Sequence, residues 1–280
     1  MARILAISSQ VARGHLGLSI IAPALQALGH EVVALPTVVL SNHPGHAHVA
    51  GTALDPDVLH DMLNALEING WLSGIDAVLT GYLPTADHVA FARRAVERSR
   101  SANGSRPMTY LCDPVLGDDP KGLYIDERAA HAIRKHLIPV ADITTPNRFE
   151  LSFLLGKDIR SADDVFANPV RGPATVATSI PSVNPAETLN ALITNETNAL
   201  TRVPLRSNAP HGTGDLFSAL LLAARLDGKS MPEALAFATA GVDQTLAKSA
   251  EADELLLTAL PTPAHLPSPW PIERCANPAP

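Results

Sequence analysis

The chain has 280 residues, 46% of them hydrophobic, and a formal net charge of −7, which provides for one large core and, with no basic cluster, argues against nucleic acid as the main partner. No run approaches the ~20 apolar residues of a membrane span, and the four apolar residues after Arg3 are too few for a secretory leader. The two cysteines, Cys112 and Cys275, build no disulfide framework, and the expectation is a soluble cytoplasmic protein without a membrane partner.

An unbroken apolar run at 4–7 predicts a central parallel strand. Ser8-Ser9-Gln10 follow it, and a turn-rich link containing Gly14 and Gly17 leads to a helix over 18–28 that Gly29 ends. A second strand spans 31–35, with the loop Ser41-Asn42-His43-Pro44-Gly45-His46 soon after. Asp55-Pro56 opens a helix in which Val58, Leu59, Met62, Leu63 and Leu66 recur at helical spacing. A third strand over 76–80 runs into Gly81-Tyr82, and a helix follows over 85–99. The fourth strand, 108–112, ends directly at Asp113-Pro114-Val115-Leu116-Gly117-Asp118. A helix over 127–137 and a brief strand over 142–145 precede Pro146-Asn147-Arg148-Phe149-Glu150, which opens another helix. A Ser-x-x-Asp cap marks one or two turns over 161–166, and a strand over 174–178 ends in Thr178-Ser179.

The pattern then changes. Strand-like runs over 188–194 and 198–205, separated by Asn195-Glu196-Thr197, read as an antiparallel hairpin. Ser230-Met231-Pro232-Glu233 is a capping box opening a helix, and a last helix is expected over 250–259. From 261 the proline-rich tail is expected to be extended or loosely attached. Alternating strands and helices predict an α/β fold: three α/β/α layers around a mainly parallel sheet with a late hairpin, forming one domain over 1–260 plus a tail over 261–280.

The chain is organised around His211-Gly212-Thr213-Gly214-Asp215, which precedes the apolar run from Leu216 to Ala224. Such a run reads as a buried helix, so the glycines sit at its start, where unpaired amides and a partial positive charge favour an anion. Glycine allows close approach, so Gly212, Thr213 and Gly214 suit a phosphate cradle. A carboxylate at Asp215 is out of place for binding phosphate alone. It makes sense as the acceptor of a proton from a hydroxyl that attacks the phosphate. On these residues alone, a buried helix with a plain glycine entry and a dipole-pairing aspartate stands equally open.

Taken together, Ser8-Ser9-Gln10-Val11, Ser41-Asn42-His43, Gly81-Tyr82, Asp113-Pro114-Val115-Leu116-Gly117-Asp118, Thr145-Pro146-Asn147-Arg148-Phe149-Glu150, Thr178-Ser179 and Gly212-Thr213-Gly214-Asp215 resemble the pyridoxal kinases of the ribokinase-like superfamily, in the same order from residue 4 to about 247. The resemblance implies transfer of the γ-phosphoryl group of ATP to the 5′-hydroxyl of pyridoxal, pyridoxine or pyridoxamine. It implies Asp215 as catalytic base, and Gly212, Thr213 and Gly214 as anion hole. Ser9, His43, Tyr82 and Asp215 are implied at the vitamin, and Asp113, Thr145, Asn147, Glu150, Thr178 and Ser179 at the nucleotide. Asp118 and Glu150 are implied near Mg²⁺, with room for a monovalent cation, and the assembly implied is a homodimer.

Three departures stand out. Pro44 replaces a threonine frequent in the family, the 161–174 segment is short, and Thr178-Ser179 replaces a lysine of some bacterial relatives. Two other functions remain open: a hydroxymethylpyrimidine kinase sharing Gly-x-Gly-Asp, and a non-catalytic ligand-binding relative. The first normally has a glycine-rich stretch after strand one, unlike Ser8-Ser9-Gln10-Val11; the intact acidic set speaks against the second. His43, His46 and His48 match no zinc spacing.

Overall fold

A computed structural model describes residues 1–206 and 209–275. In chain order the first half comprises β1 (Arg3–Val11), α1 (Leu18–Ala27), β2 (Glu31–Leu40), β3 (Gly51–Ala53), α2 (Pro56–Ile68), β4 (Ala77–Thr80), α3 (Ala86–Asn103) and β5 (Thr109–Cys112). There follow β6 (Gly117–Asp118), β7 (Gly122–Leu123), α4 (Glu127–Ala132), β8 (Ile143–Thr144), α5 (Arg148–Leu155) and α6 (Ala162–Ala167). The chain continues through β9 (Ala174–Pro181), β10 (Glu187–Ile193), β11 (Asn198–Pro204), α7 (Thr213–Leu226), α8 (Met231–Lys248) and β12 (Glu273–Cys275).

The main sheet has ten strands in the order β12-β11-β10-β9-β8-β5-β4-β1-β2-β3, parallel from β9 to β2 and antiparallel beyond both ends. Strand periodicity explains the layers. Ile4 and Ala6 of β1 pack into one core with Leu18 and Ile21 of α1 and Leu216 and Leu220 of α7. Leu5 and Ile7 face the opposite core, with Leu59 of α2, Phe91 of α3 and Ile133. A third core under the antiparallel end joins Leu151 of α5 and Val165 of α6 to Ala177 and Ala191. The strands thus deliver Ser8, Gly81, Asp113 and Thr145 to one edge of the sheet, where α/β folds hold their ligands.

The three-layer fold and the hairpin agree with the sequence. Several elements do not. β2 runs five residues beyond its expected end at 35, because β3 pairs with Val38, Val39 and Leu40 and supports the extension. The helix expected over 127–137 is α-helical only to Ala132, and a π turn covers Ile133–Leu137. The helix expected over 250–259 is absent except for a 3-10 turn at Leu257–Ala259. Ser249 ends α8 by donating to the Thr245 carbonyl (2.7 Å) and accepting from the Leu256 amide (2.9 Å). Between residues 250 and 257 only Leu255 is buried, so no apolar face draws a helix onto the core. The tail is anchored rather than loose. β12 pairs with β11, Trp270 Nε1 donates to the Arg202 carbonyl at 2.8 Å, and Arg202 pairs with Glu273 at 2.6 Å. Residues 276–280 of the expected tail lie outside the described residues. Among the described residues, no helix is long and apolar enough to cross a membrane.

Candidate active site

The start of α7 is set by Gly212, whose φ of 95° lies in the left-handed region and where a Cβ would overlap the His15 carbonyl oxygen. Only glycine satisfies both conditions. The Leu216 amide makes the first helical bond, to the Gly212 carbonyl at 2.9 Å. The amides of Thr213, Gly214 and Asp215 therefore have no acceptor within the helix and are available to an anion at its N-terminus. Gly214 has open space where a Cβ would sit. These residues line a cavity of about 550 Å³ together with His43, Asp113, Asp118, Thr145, Asn147, Glu150, Thr178 and Ser179. Twelve of the fourteen residues singled out in the sequence thus share one cavity; Ser9 and Tyr82 do not line it.

Those two stand near Asp215 by another route. The Gly17 amide donates to Asp215 Oδ2 at 3.0 Å, and a Cβ on Gly17 would overlap both the carbonyl and the hydroxyl of Ser9. Ser8 Oγ accepts from the Tyr82 amide at 3.0 Å, and the position of a Cβ on Gly81 is 2.5 Å from that hydroxyl and 3.8 Å from Asp215 Oδ1. Asp215 thus lies between the cavity and the ends of β1 and β4. Burial raises its carboxyl to about 6, against the Gly17 hydrogen bond, which favours the ionised form.

The remaining acids behave differently from one another. Asp113 is 6% exposed and accepts from Ser218 Oγ at 2.8 Å; Ser218 in turn lies 2.8 Å from Thr145 Oγ1. Burial and then the neighbouring Asp215 push Asp113 well above the usual carboxylate range. Glu150, 4% exposed, accepts from the Leu116 amide at 3.0 Å and closes the α5 capping box by accepting from the Asn147 amide at 2.8 Å. Burial and Asp113 raise it as well. Its oxygens thus brace the Asp113–Gly117 loop. Asp118 is exposed on β6 and, among the described residues, accepts only from the Asp119 amide, at 2.8 Å. Among the described residues these acids do not form a cluster of three or more metal-ligating side chains. The arrangement fits Mg²⁺, which prefers one or two carboxylates with water and phosphate oxygens to an all-protein cage.

Thr178 and Ser179 form a bulge opposite Asn190, where the β9–β10 register shifts, and Ser179 has a left-handed φ of 57°. A strained non-glycine residue at a cavity wall marks a ligand contact to be tested. On the opposite rim, Ser41 Oγ accepts from the Ala50 amide at 3.0 Å, and Asn42 Nδ2 donates to the carbonyls of His43 (3.2 Å) and His48 (3.1 Å). His43 stacks on His211, with ring centroids 3.8 Å apart.

Sequence reasoning missed Gly17, which holds Asp215, and Ser218, which holds Asp113. Ser218 lies three residues beyond Asp215, one helical turn along the same face, and that spacing was the available signal. It also missed the buried set formed by Asn190, Thr201 and Thr239, whose side chains lie 3.1–3.4 Å apart.

The phosphomethylpyrimidine kinase family profile matches residues 22–257. The pyridoxine/pyridoxal/pyridoxamine kinase of Bordetella avium is 34% identical over 263 residues, covering 91% of this chain and 88% of its own. The pyridoxal kinase of Deinococcus radiodurans is 36% identical over 245 residues, covering 83% and 82%. Among solved structures, the pyridoxal kinase of Leishmania donovani in complex with ADP and pyridoxine is 28% identical and superposes with a TM-score of 0.86 over 98% of this chain and 99% of that one.

Proposed function

We infer the reaction of this chain, which belongs to the pyridoxal kinases within the phosphomethylpyrimidine kinase family, from that membership and from the position of Asp215. It is a kinase that transfers the γ-phosphoryl group of ATP to the 5′-hydroxyl of pyridoxal, pyridoxine or pyridoxamine. The observation that carries the mechanism is the Asp215 carboxylate, held by the Gly17 amide at the first turn of a glycine-entered helix, between a cavity and two strand ends.

In this reading Asp215 is ionised at neutral pH and accepts the proton of the 5′-hydroxyl as that oxygen bonds to the γ-phosphorus and the bond to the β-phosphate bridging oxygen breaks. The amides at Gly212, Thr213 and Gly214 meet the charge on the transferred group. Asp113, Thr145, Asn147, Glu150, Thr178 and Ser179 form the nucleotide side. Ser9, His43 and Tyr82 form the vitamin side, where Pro44 provides no hydroxyl to the ring. Mg²⁺, when bound, would neutralise phosphate charge; Asp118 and Glu150 are the carboxylates that would hold it, Glu150 on exchanging one of its amide hydrogen bonds for the ion. A homodimer in the cytoplasm, built from one kinase domain over 1–260 and an appended tail, completes the proposal.

The test is phosphorylation of pyridoxal with Mg²⁺ and ATP, against a hydroxymethylpyrimidine control. Pyridoxal 5′-phosphate as the preferred product is expected. Turnover of the pyrimidine alone, or of neither, contradicts the assignment.

A further inference from the structure

The cavity is poorly furnished for a polyphosphate. Among the described residues, its lining carries five carboxylates (Asp113, Asp118, Glu150, Asp215 and Asp243) and one guanidinium, Arg206, which is tied to Asp243 Oδ1 at 2.5 Å. The other titratable cations of the wall are two imidazoles, His43 and His211, stacked 3.8 Å apart with their planes inclined by 22°. His211 directly precedes Gly212 and lines the cavity together with the residues of the α7 N-terminus. His43 comes from the 41–50 loop, and the stack joins that loop to the approach to α7.

Resting on the reading that a nucleotide enters this cavity, we propose that His211 takes up a proton as the polyphosphate arrives and carries the charge against it, while neutral His43 stacks on its ring. The groups facing the pair are His46 from the same loop as His43, Lys121 from the β6–β7 turn, Asp118 of β6 and Glu254 beyond α8. In the free protein burial dominates and holds both rings below the ordinary histidine range, His43 at about 4. Two cations at this separation repel strongly, so the pair accepts one proton. His211, which adjoins the α7 N-terminus in the cavity wall, is its seat. Partial desolvation and the nearby Lys121 and His46 disfavour the imidazolium in the free state, and an arriving anion shifts the balance towards it.

The test is calorimetric titration of Mg²⁺ and the β,γ-imido analogue of ATP into the full chain, without vitamin. Two buffers of different ionisation enthalpy are used at pH 7, so that protons taken up on binding are counted. The wild type should take up about half a proton or more beyond His211→Gln. Asp215→Asn should keep that uptake. His211→Lys, with a permanent charge, should bind with less dependence on pH than the wild type between 6 and 8. Equal uptake by the wild type and His211→Gln overturns the proposal, as does loss of uptake in Asp215→Asn, which would put the proton on the carboxylate. If His211→Gln fails to fold, the histidine Cε1–H resonances of the wild type decide: one midpoint should rise with the analogue bound, and no movement refutes the proposal. Failure of the wild type to bind the analogue at all contradicts the nucleotide reading instead.

Discussion

Gly17→Ala isolates the support of the proposed catalytic carboxylate from the carboxylate itself. Gly17 has φ of +52°, and a Cβ there would come within 3.0 Å of the Ser9 backbone as well as its hydroxyl, so the obstruction cannot rotate away. Left-handed backbone costs alanine about 1–2 kcal/mol, and overpacking adds roughly 1–3 kcal/mol. The strain is relieved by moving the 14–17 link, which carries the Gly17 amide away from Asp215 Oδ2, now 3.0 Å distant. A hydrogen bond to a charged group is worth about 1.5–3 kcal/mol, and each pKa unit corresponds to about 1.4 kcal/mol, so Asp215 should rise by about one to two units. The sign follows from the role of the base: activity appears as pH rises through the Asp215 pKa, about 6 in the wild type. The acid limb of kcat/KM should therefore move to higher pH in Gly17→Ala, with a rate at pH 7 several-fold lower and much of the loss recovered at pH 8.5. The assay is pyridoxal phosphorylation across pH 5.5–9, with thermal unfolding to confirm the fold. An unshifted acid limb in a folded variant refutes the assigned support.

The two glycines of the proposed anion hole should separate. Gly214→Ala, with open space at its Cβ, should fold normally and lower kcat about tenfold, or ~1.4 kcal/mol, with little change in pyridoxal KM; equal losses in kcat and vitamin affinity count against an anion hole. Gly212→Ala, strained and obstructed by His15, should lose about 2–5 kcal/mol of stability in denaturant unfolding. Asp113→Asn should stabilise the free protein at pH 8 while impairing turnover. The Asp113 pKa is raised on folding, so the folded state is favoured when the group is protonated, and stability falls as pH rises from the unfolded value of about 4 through the folded one. The gain, at about 2–4 °C in Tm per kcal/mol, should vanish near pH 3; a gain independent of pH argues against burial of a charge. Asn190→Leu removes one partner from each of Thr201 and Thr239, which keep each other at 3.1 Å, so it should cost about 0.5–1.5 kcal/mol and raise KM for ATP more than for pyridoxal.

The sheet, the hairpin and the helix caps were legible because each rests on a local signal: the apolar runs of β1 and β4, Asp55-Pro56 at α2, and Ser230 with Glu233 at α8. The missing helix after α8 shows the limit of composition. Residues 250–257 suit a helix, but burying Leu255 alone does not fix one onto the core. The same limit applies to the anchored tail, since β12 exists only because β11 offers it an edge. Within the site, the residues at strand ends were visible because they fall immediately after apolar runs. Gly17 was not, because its role depends on Ser9 and Asp215, the latter 198 residues away. Glu150 was visible as an acid, but its bracing of Leu116 is a long-range contact that no spacing encodes.

Asp215 is the proposed proton acceptor in vitamin B6 phosphorylation. Steady-state formation of pyridoxal 5′-phosphate by wild type and Asp215→Asn, at pH 7.5 with saturating Mg²⁺ and ATP, tests it most directly. Asparagine is nearly isosteric and cannot take the hydroxyl proton, so kcat should fall by about 10²–10⁴ with the fold and nucleotide binding retained. A folded Asp215→Asn enzyme within about threefold of the wild-type rate would contradict the account.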